Sequence, residues 1–195
     1  MKASAKKYRA FAGVAVVIAL VAAAATTQER PPSDAHLTKR GETLPDIDAI
    51  DTEGRPVRWG DYRGKPFVVM TWATWCPYCK QAMPFYEKTR RAVRARGVEF
   101  VLLSFDEDAS AYQQWLAAEQ GKYGFRFAHV RFTNFMDALK QFRADIPSFF
   151  VVDKDGRVVS SYLSFPYGAG ADDPRLTAAL HAAGVSPEDE ERKEG

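Results

Sequence analysis

Apolar and polar positions fall into short blocks along the chain, and the period of each block predicts an element. Phe67-Val68-Val69-Met70-Thr71-Trp72 is an uncharged, β-rich run, short enough for a central strand buried on both faces. A helix is predicted from the cysteines that follow to about Arg96, where Gly97 supplies a C-terminal cap. Val98 to Phe105 repeats the buried-strand pattern. Between Ala109 and Gln120, Tyr112, Trp115 and Leu116 recur at helical spacing and mark one core-facing stripe. Phe127 to Phe132 predicts a further strand, and Phe135, Leu139 and Phe142 a short helix. Ser148–Asp153 and Arg157–Tyr162 flank Lys154-Asp155-Gly156 and predict an antiparallel hairpin. Asp173 and Pro174 open a last helix with Leu176, Ala179, Leu180 and Ala183 on one face, stopped at Gly184. Ahead of all these, Asp46–Asp51 and Pro56–Trp59 around Thr52-Glu53-Gly54 predict a leading hairpin, followed by a loop over 60–65.

This order, β–α–β–α followed by a hairpin and a helix, predicts an α/β fold with a mixed central sheet flanked by helices. Right-handed crossovers put the end of the Phe67–Trp72 strand at the carboxyl edge of the sheet, where open α/β sheets place their chemistry. The ends of the chain follow other patterns. Lys2, Lys6, Lys7 and Arg9 precede an uncharged apolar run, Ala10 to Ala25, with Ala23-Ala24-Ala25 at its end. Residues 1–25 therefore read as a secretory signal or an N-terminal membrane anchor through residues 10–25. The run is slightly short of the roughly 18–20 residues of a spanning helix. Residues 26–41, with Pro31-Pro32, read as a linker, 42–185 as the folded domain, and 186–195 as a disordered charged tail. Either reading of the N-terminus places the domain in a periplasmic or otherwise extracytoplasmic compartment, which is oxidising.

Composition narrows the function. Of the 195 residues 46% are hydrophobic and 13% aromatic, enough for one sizeable core. Net charge is only +2, which leaves no electrostatic footprint for nucleic acid. Arg90, Arg91, Arg94 and Arg96 crowd the end of the first predicted helix and read as a solvated face that complements its dipole. The only two cysteines, Cys76 and Cys79, lie three positions apart. So short a loop restrains little chain entropy, so a purely structural disulfide gains little. A zinc site lacks further ligands, since the only histidines are His36, His129 and His181.

Placed at a strand-to-helix junction, such a pair can close a disulfide across the first helical turn. There the unpaired backbone N–H groups and the positive dipole end favour a thiolate on an outward-facing Cys76. Cys76 is then expected to attack a substrate disulfide, and the more buried Cys79 to resolve the mixed disulfide. Pro77 suits the first turn, where its missing N–H has no helical partner.

Thr71-Trp72-Ala73-Thr74-Trp75-Cys76-Pro77-Tyr78-Cys79-Lys80 resembles the active-site stretch of the thioredoxin superfamily. Pro84, five residues after Cys79, matches the proline inside the active-site helix, and Ile146-Pro147 before Ser148–Asp153 resembles the cis-proline segment. With the exported start, the leading hairpin and the long interval between the two motifs, the chain resembles TlpA/ResA-type thiol–disulfide oxidoreductases over roughly residues 42–184. The resemblance implies a thioredoxin fold with an N-terminal β-hairpin and an inserted strand and helix. It implies Cys76 as nucleophile and Cys79 as resolving cysteine, Pro147 in cis beside the disulfide, and the Ile146 backbone pairing with a substrate chain. Trp75, Pro77 and Tyr78 would support the site, Trp75 as a shield for the sulfurs or as plain core. No cofactor beyond the redox-active disulfide and no metal is implied. The expected partners are protein thiols or disulfides and an exported or membrane-bound electron donor, with the protein a monomer.

Three departures bear on function. Many TlpA/ResA-type proteins carry a glutamate three residues after the second cysteine, where Ala82 stands here, and thioredoxins an aspartate six residues before the first, where Met70 stands. Neither acid is present to take the proton of Cys79. Pro77-Tyr78 is the dipeptide of glutaredoxins. A reductase of exported thiols, in the manner of cytochrome c maturation, is the leading reading, and an oxidase or isomerase the alternative. A copper-binding chaperone of the same fold would need cysteines four apart and a distant histidine, for which only His129 offers itself. A satisfied polar histidine is the simpler reading of that residue. The absence of a Pro-x-x-x-Thr-x-x-Cys nucleophile argues against a peroxiredoxin on the same fold.

Overall fold

The computed structural model describes residues 37–163 and 174–185. The segment read as signal or anchor, most of the linker, Asp173 and the charged tail lie outside the described residues. Among those described, no helix is long and apolar enough to cross a membrane.

Six strands form one sheet: β1 (Ala49–Asp51), β2 (Phe67–Trp72), β3 (Glu99–Ser104), β4 (Arg126–Val130), β5 (Ser148–Val152) and β6 (Val158–Leu163). The spatial order is β1-β4-β3-β2-β5-β6. β2, β3 and β4 run parallel, while β1, β5 and β6 pair antiparallel. The described helices are α1 (Pro77–Val93), α2 (Ala109–Glu119), α3 (Phe135–Phe142) and α4 (Pro174–Ala182). The sheet is thus mixed, flanked by these four helices, and the fold is that of thioredoxin.

Strand alternation divides the core in two. Val68, Met70 and Trp72 of β2, Phe100 and Leu102 of β3, and Phe149 and Val151 of β5 point into one cluster with buried residues of α1, α2 and α4. Phe67 and Val69, Val101 and Leu103, and Phe150 and Val152 point into the other, with Leu139 and Phe142 of α3. β2 is buried at every position, as its unbroken apolar run predicts. The face shared by Leu176, Ala179, Leu180 and Ala183 is buried too.

Three differences from the sequence reading have local causes. The leading hairpin turns where expected, with Asp51 N–H donating to the Arg55 carbonyl and Val57 N–H to that of Ala49. Its return arm is only an isolated bridge between Ile50 and Pro56, and a 3₁₀ turn then covers Trp59–Tyr62. Proline has no N–H with which to extend the ladder. Packing also reaches upstream of the expected boundary at residue 42. Leu37 and Thr38 are fully buried, and Gly41 N–H and the Glu42 carbonyl pair with Val158 on the edge strand. Finally, the arginines of α1 are not all a solvated face. Arg90 and Arg91 both pair with the buried Glu87 on the same helix, at 2.8 and 2.7 Å.

Candidate active site

The disulfide sits where β2 ends. Cys76 N–H donates to the Ala73 carbonyl at 3.0 Å, which turns the chain out of the strand and into α1. Cys76 is the N-cap of that helix, with extended backbone and its Sγ accepting the Cys79 N–H at 3.1 Å; Pro77 follows in the first turn. Pro84 lies inside α1, where it removes one helical N–H. Cys76 and Cys79 are bonded to each other, with Cα atoms 5.3 Å apart.

The sulfurs are less accessible than the sequence suggests. Cys79 is 0% exposed as expected, but Cys76 is only 3% exposed. The expectation of an outward-facing first sulfur does not hold for the disulfide state. Bonded to Cys79 and turned to accept its N–H, Cys76 Sγ caps the helix from inside the first turn. The exposed groups are its neighbours. Trp75 is 56% and Tyr78 45% exposed, and Phe85 and Met136 are exposed as well. The Trp75 ring stands edge-on to Phe135 of α3 with centroids 5.9 Å apart, so Trp75 is a surface residue and not core. Helix α3 thereby places an aromatic ring against the active-site loop.

Pro147 forms a cis bond with Ile146. The segment is fixed to β2 from beneath. The Thr71 hydroxyl donates to the Asp145 carbonyl and accepts the Ser148 N–H at 2.8 Å. Ser148 Oγ in turn accepts the Asp145 N–H at 2.9 Å. Among the described residues no backbone hydrogen bond uses Ile146. Thr71, next to last in β2, thus registers the proline loop against the strand that carries the cysteines.

The two positions where relatives carry an acid are apolar and buried. Met70 and Ala82 both belong to the core cluster that holds Cys76 and Cys79. A carboxylate does approach from another side. Asp106, just past β3, is buried and accepts both the N–H and the hydroxyl of Thr74. His129 places Nε2 2.9 Å from the Asp106 carbonyl and stacks on Tyr112, with centroids 4.7 Å apart. The satisfied-polar reading of His129 fits this geometry, and the copper-chaperone reading loses its one histidine. Sequence reasoning missed Asp106 and Thr71. An aspartate inside Phe105-Asp106-Glu107-Asp108 reads as part of an acidic loop, and only the pairing of β2 with β3 brings it to Thr74.

Further along α1, Glu87 is held charged. Burial opposes its ionisation, but hydrogen bonds from Arg90, the Gly124 N–H and Arg91 bring its carboxyl down to about 2. A Cβ at Gly124 would strike the guanidinium of Arg90, which pairs with the same carboxylate.

Comparison with known proteins agrees with this geometry. The Redoxin family model matches residues 39–180. The thiol-disulfide oxidoreductase ResA of Bacillus thuringiensis is 28% identical over 120 residues, which cover 61% of this chain and 66% of that relative, just under two thirds of its length. The ResA of Bacillus subtilis is 26% identical over 157 residues, 79% of this chain and 84% of the relative. A thio-disulfide isomerase structure from Thermus thermophilus superposes with a TM-score of 0.54 at 28% identity, covering 76% of this chain and 99% of its own. The thioredoxin domain of a thiol-disulfide oxidoreductase from Bacteroides vulgatus, 22% identical, shares the fold with a TM-score of 0.61 over 74% and 99% of the two chains. With its family model matched across the whole sheet and its disulfide at the head of α1, the chain belongs to the Redoxin family, as a TlpA/ResA-type member of the thioredoxin superfamily.

Proposed function

We propose that the protein is a thiol–disulfide oxidoreductase that reduces disulfides of exported proteins, with Cys76 attacking and Cys79 resolving. The observation that carries the roles of the two cysteines is the Cys79 N–H aimed at Cys76 Sγ in the first turn of α1. A charge-assisted hydrogen bond and the positive helix end both favour negative charge on that sulfur. In the reduced protein the Cys76 thiolate attacks one sulfur of a client disulfide, and the client's other sulfur leaves as a thiolate and takes a proton. The Cys79 thiol then loses its proton and attacks Cys76 Sγ, releasing the second client thiolate, which is protonated in turn. The client gains two electrons and two protons, and the protein is left as the Cys76–Cys79 disulfide. A dithiol donor, exported or in the membrane, restores it by the same two steps in reverse.

Each supporting residue has a part. The Ile146 backbone, displayed by cis-Pro147, pairs with the extended client chain next to its cysteine. Trp75 and Tyr78 give that chain an apolar rim, and Pro77 keeps the first turn of α1 short of a donor it does not need. The protein works as a monomer outside the cytoplasm, delivered by residues 1–25. The basic start and apolar run of that segment support this location.

The test of the assigned roles is trapping. Cys79→Ser should accumulate a mixed disulfide at Cys76 that mass spectrometry identifies, and Cys76→Ser should accumulate none. Equal trapping by both variants would overturn the roles. Direction is tested by the reduction potential. A value near thioredoxin's, at about −270 mV, supports the reductase, and one near about −120 mV would make the protein an oxidase.

A further inference from the structure

A buried carboxylate lies directly behind the loop that carries the disulfide. Asp106 is 3% exposed. Its Oδ1 accepts the Thr74 N–H at 2.9 Å and the Thr74 hydroxyl at 2.6 Å. Its Oδ2 accepts the Ser104 hydroxyl at 2.7 Å and shares the Thr74 N–H at 3.1 Å. The Asp106 N–H donates back to Ser104 Oγ at 3.1 Å. Among the described residues no cation forms an ion pair with it. Burying a charge with only neutral donors around it is costly, and a residue needed for its shape alone would serve as well uncharged. The charge also falls close to the chemistry. Thr74 is two residues from Cys76, so their Cα atoms are at most about 7 Å apart.

Resting on the oxidoreductase reading, we propose that Asp106 is a positioning residue for the exchange: its carboxylate holds loop 73–75 so that Cys76 enters α1 as the N-cap, and sets a fixed negative charge behind Cys76. That charge acts against the N–H groups that favour the Cys76 thiolate. A thiolate disfavoured in this way destabilises the dithiol state relative to the disulfide, and so biases the protein toward giving electrons. Burial pushes the phenol of Tyr112 well above its ordinary value, and the Asp106 charge pushes in the same direction. Other ionisable side chains on the adjoining elements include His129 on β4, Lys80 on α1, and Glu107, Asp108 and Asp145 in the neighbouring loops. None of them is altered in the test.

The experiment follows iodoacetamide alkylation of Cys76 in the reduced full-length protein from pH 5 to pH 9, mapped by mass spectrometry, together with the equilibrium against glutathione. Asp106→Asn keeps an oxygen for the Thr74 N–H and removes the charge. It should move the alkylation midpoint down by about one pH unit and the glutathione equilibrium about tenfold toward the dithiol. Thr74→Val takes one donor from the carboxylate and leaves the charge less screened, so its midpoint should move up. A residue that only braces the loop would lower the melting temperature in both variants and move neither midpoint. An Asp106→Asn profile superimposable on the parent's overturns the inference, as does a shift of the same sign in both variants. Should Asp106→Asn not fold, the direction for Thr74→Val decides: an upward shift supports the inference, and no shift or a downward one overturns it. Exchange with a model disulfide is measured on the parent alongside. An inactive parent overturns the oxidoreductase reading itself, whereas an active parent with unmoved profiles overturns only the role of Asp106.

Discussion

The start and the middle of helix α1 hold ionisable groups under opposite conditions. At its start, Cys76 and Cys79 are buried among Met70, Ala82 and Met83, and a backbone N–H is what reaches Cys76 Sγ. Two turns beyond, Glu87 is almost as buried, yet it receives Arg90, Arg91 and the Gly124 N–H. Glu87 therefore stays charged at any pH at which the protein works, whereas the thiols must change charge in every cycle. A permanent charge can be surrounded with permanent partners. A group that alternates between thiol, thiolate and disulfide cannot, because each partner that favours one state disfavours another. The helix thus separates a fixed electrostatic staple from an adjustable chemical site.

The largest effect should come from breaking the chemical end. Cys76→Ser should abolish exchange with a model disulfide while leaving the melting temperature of the reduced protein nearly unchanged. In the reduced wild-type protein, iodoacetamide near neutral pH should label Cys76 in preference to Cys79. Preferential labelling of Cys79 would contradict the assigned roles.

Making the chemical end resemble the staple is the next test. Ala82→Glu places a carboxylate on the apolar face that holds Cys79, and so offers the proton acceptor that relatives carry there. General-base assistance is worth about 10²-fold or more when the geometry is right, so resolution of the mixed disulfide should accelerate. The same change buries a carboxylate where Ala82 is fully enclosed, so stability should fall by a few kcal/mol, roughly 1–3 by the cost of an unpaired buried polar group. Stopped-flow oxidation of both reduced proteins from pH 6 to pH 9 reads the rate. An unchanged resolving step would mean that another base already serves Cys79.

The sequence carried the chemical end and hid the staple, for a physical reason. Cys76-Pro77-Tyr78-Cys79 is local, and its place after an apolar strand follows from adjacent residues. The same holds for Gly97, whose φ of 75° closes the helix end, and for β2, whose run is buried on both faces. Ile146-Pro147 was readable only through its resemblance to a known segment. By contrast, Glu87 meets Gly124 across 37 residues and Asp106 meets Thr74 across 32, and no periodicity encodes such meetings. Glu87 in Tyr86-Glu87-Lys88 and the arginines after it look like any solvated helix face. Leu37 was hidden for the opposite reason, as a lone apolar residue in a polar segment that becomes core only once 41–42 pair with β6.

Removing the staple should cost stability and spare the chemistry. Glu87→Gln leaves Arg90 buried without its counter-charge, which should cost about 3 kcal/mol and roughly 6–12 °C in melting temperature. The sign with pH is fixed by the depressed carboxyl. Glu87 stabilises the fold fully above the ordinary range near 4.5, and that contribution is lost as pH falls toward about 2. The two proteins should therefore differ most above pH 5 and converge on acidification. Thermal melts at pH 7, 4 and 2.5 measure this, and a gap that widens in acid would contradict the assigned ion pair. Exchange by Glu87→Gln at pH 7 and 25 °C should match the parent's.

The smallest effect compares the start of α1 with an ordinary helix start. α2 is capped by Asp108, whose Oδ1 accepts the N–H of Ser110 at 2.8 Å and of Ala111 at 3.2 Å. The corresponding acceptor in α1 is Cys76 Sγ, a poorer acceptor than a carboxylate until it becomes a thiolate. An oxygen cap is worth about 1 kcal/mol, so Asp108→Ala should lower the melting temperature by about 3 °C, and Asp108→Asn, which keeps an acceptor oxygen, by less. Exchange kinetics should be unchanged in both, since α2 lends the disulfide no donor. In α1 the cap and the nucleophile are one atom, so Cys76→Ser loses the nucleophile yet keeps an oxygen to cap the helix. A slowed exchange in Asp108→Ala would mean that α2 does set the active-site loop, through Asp106 beside its cap, and the separation between stabilising and reacting helix starts would then fail.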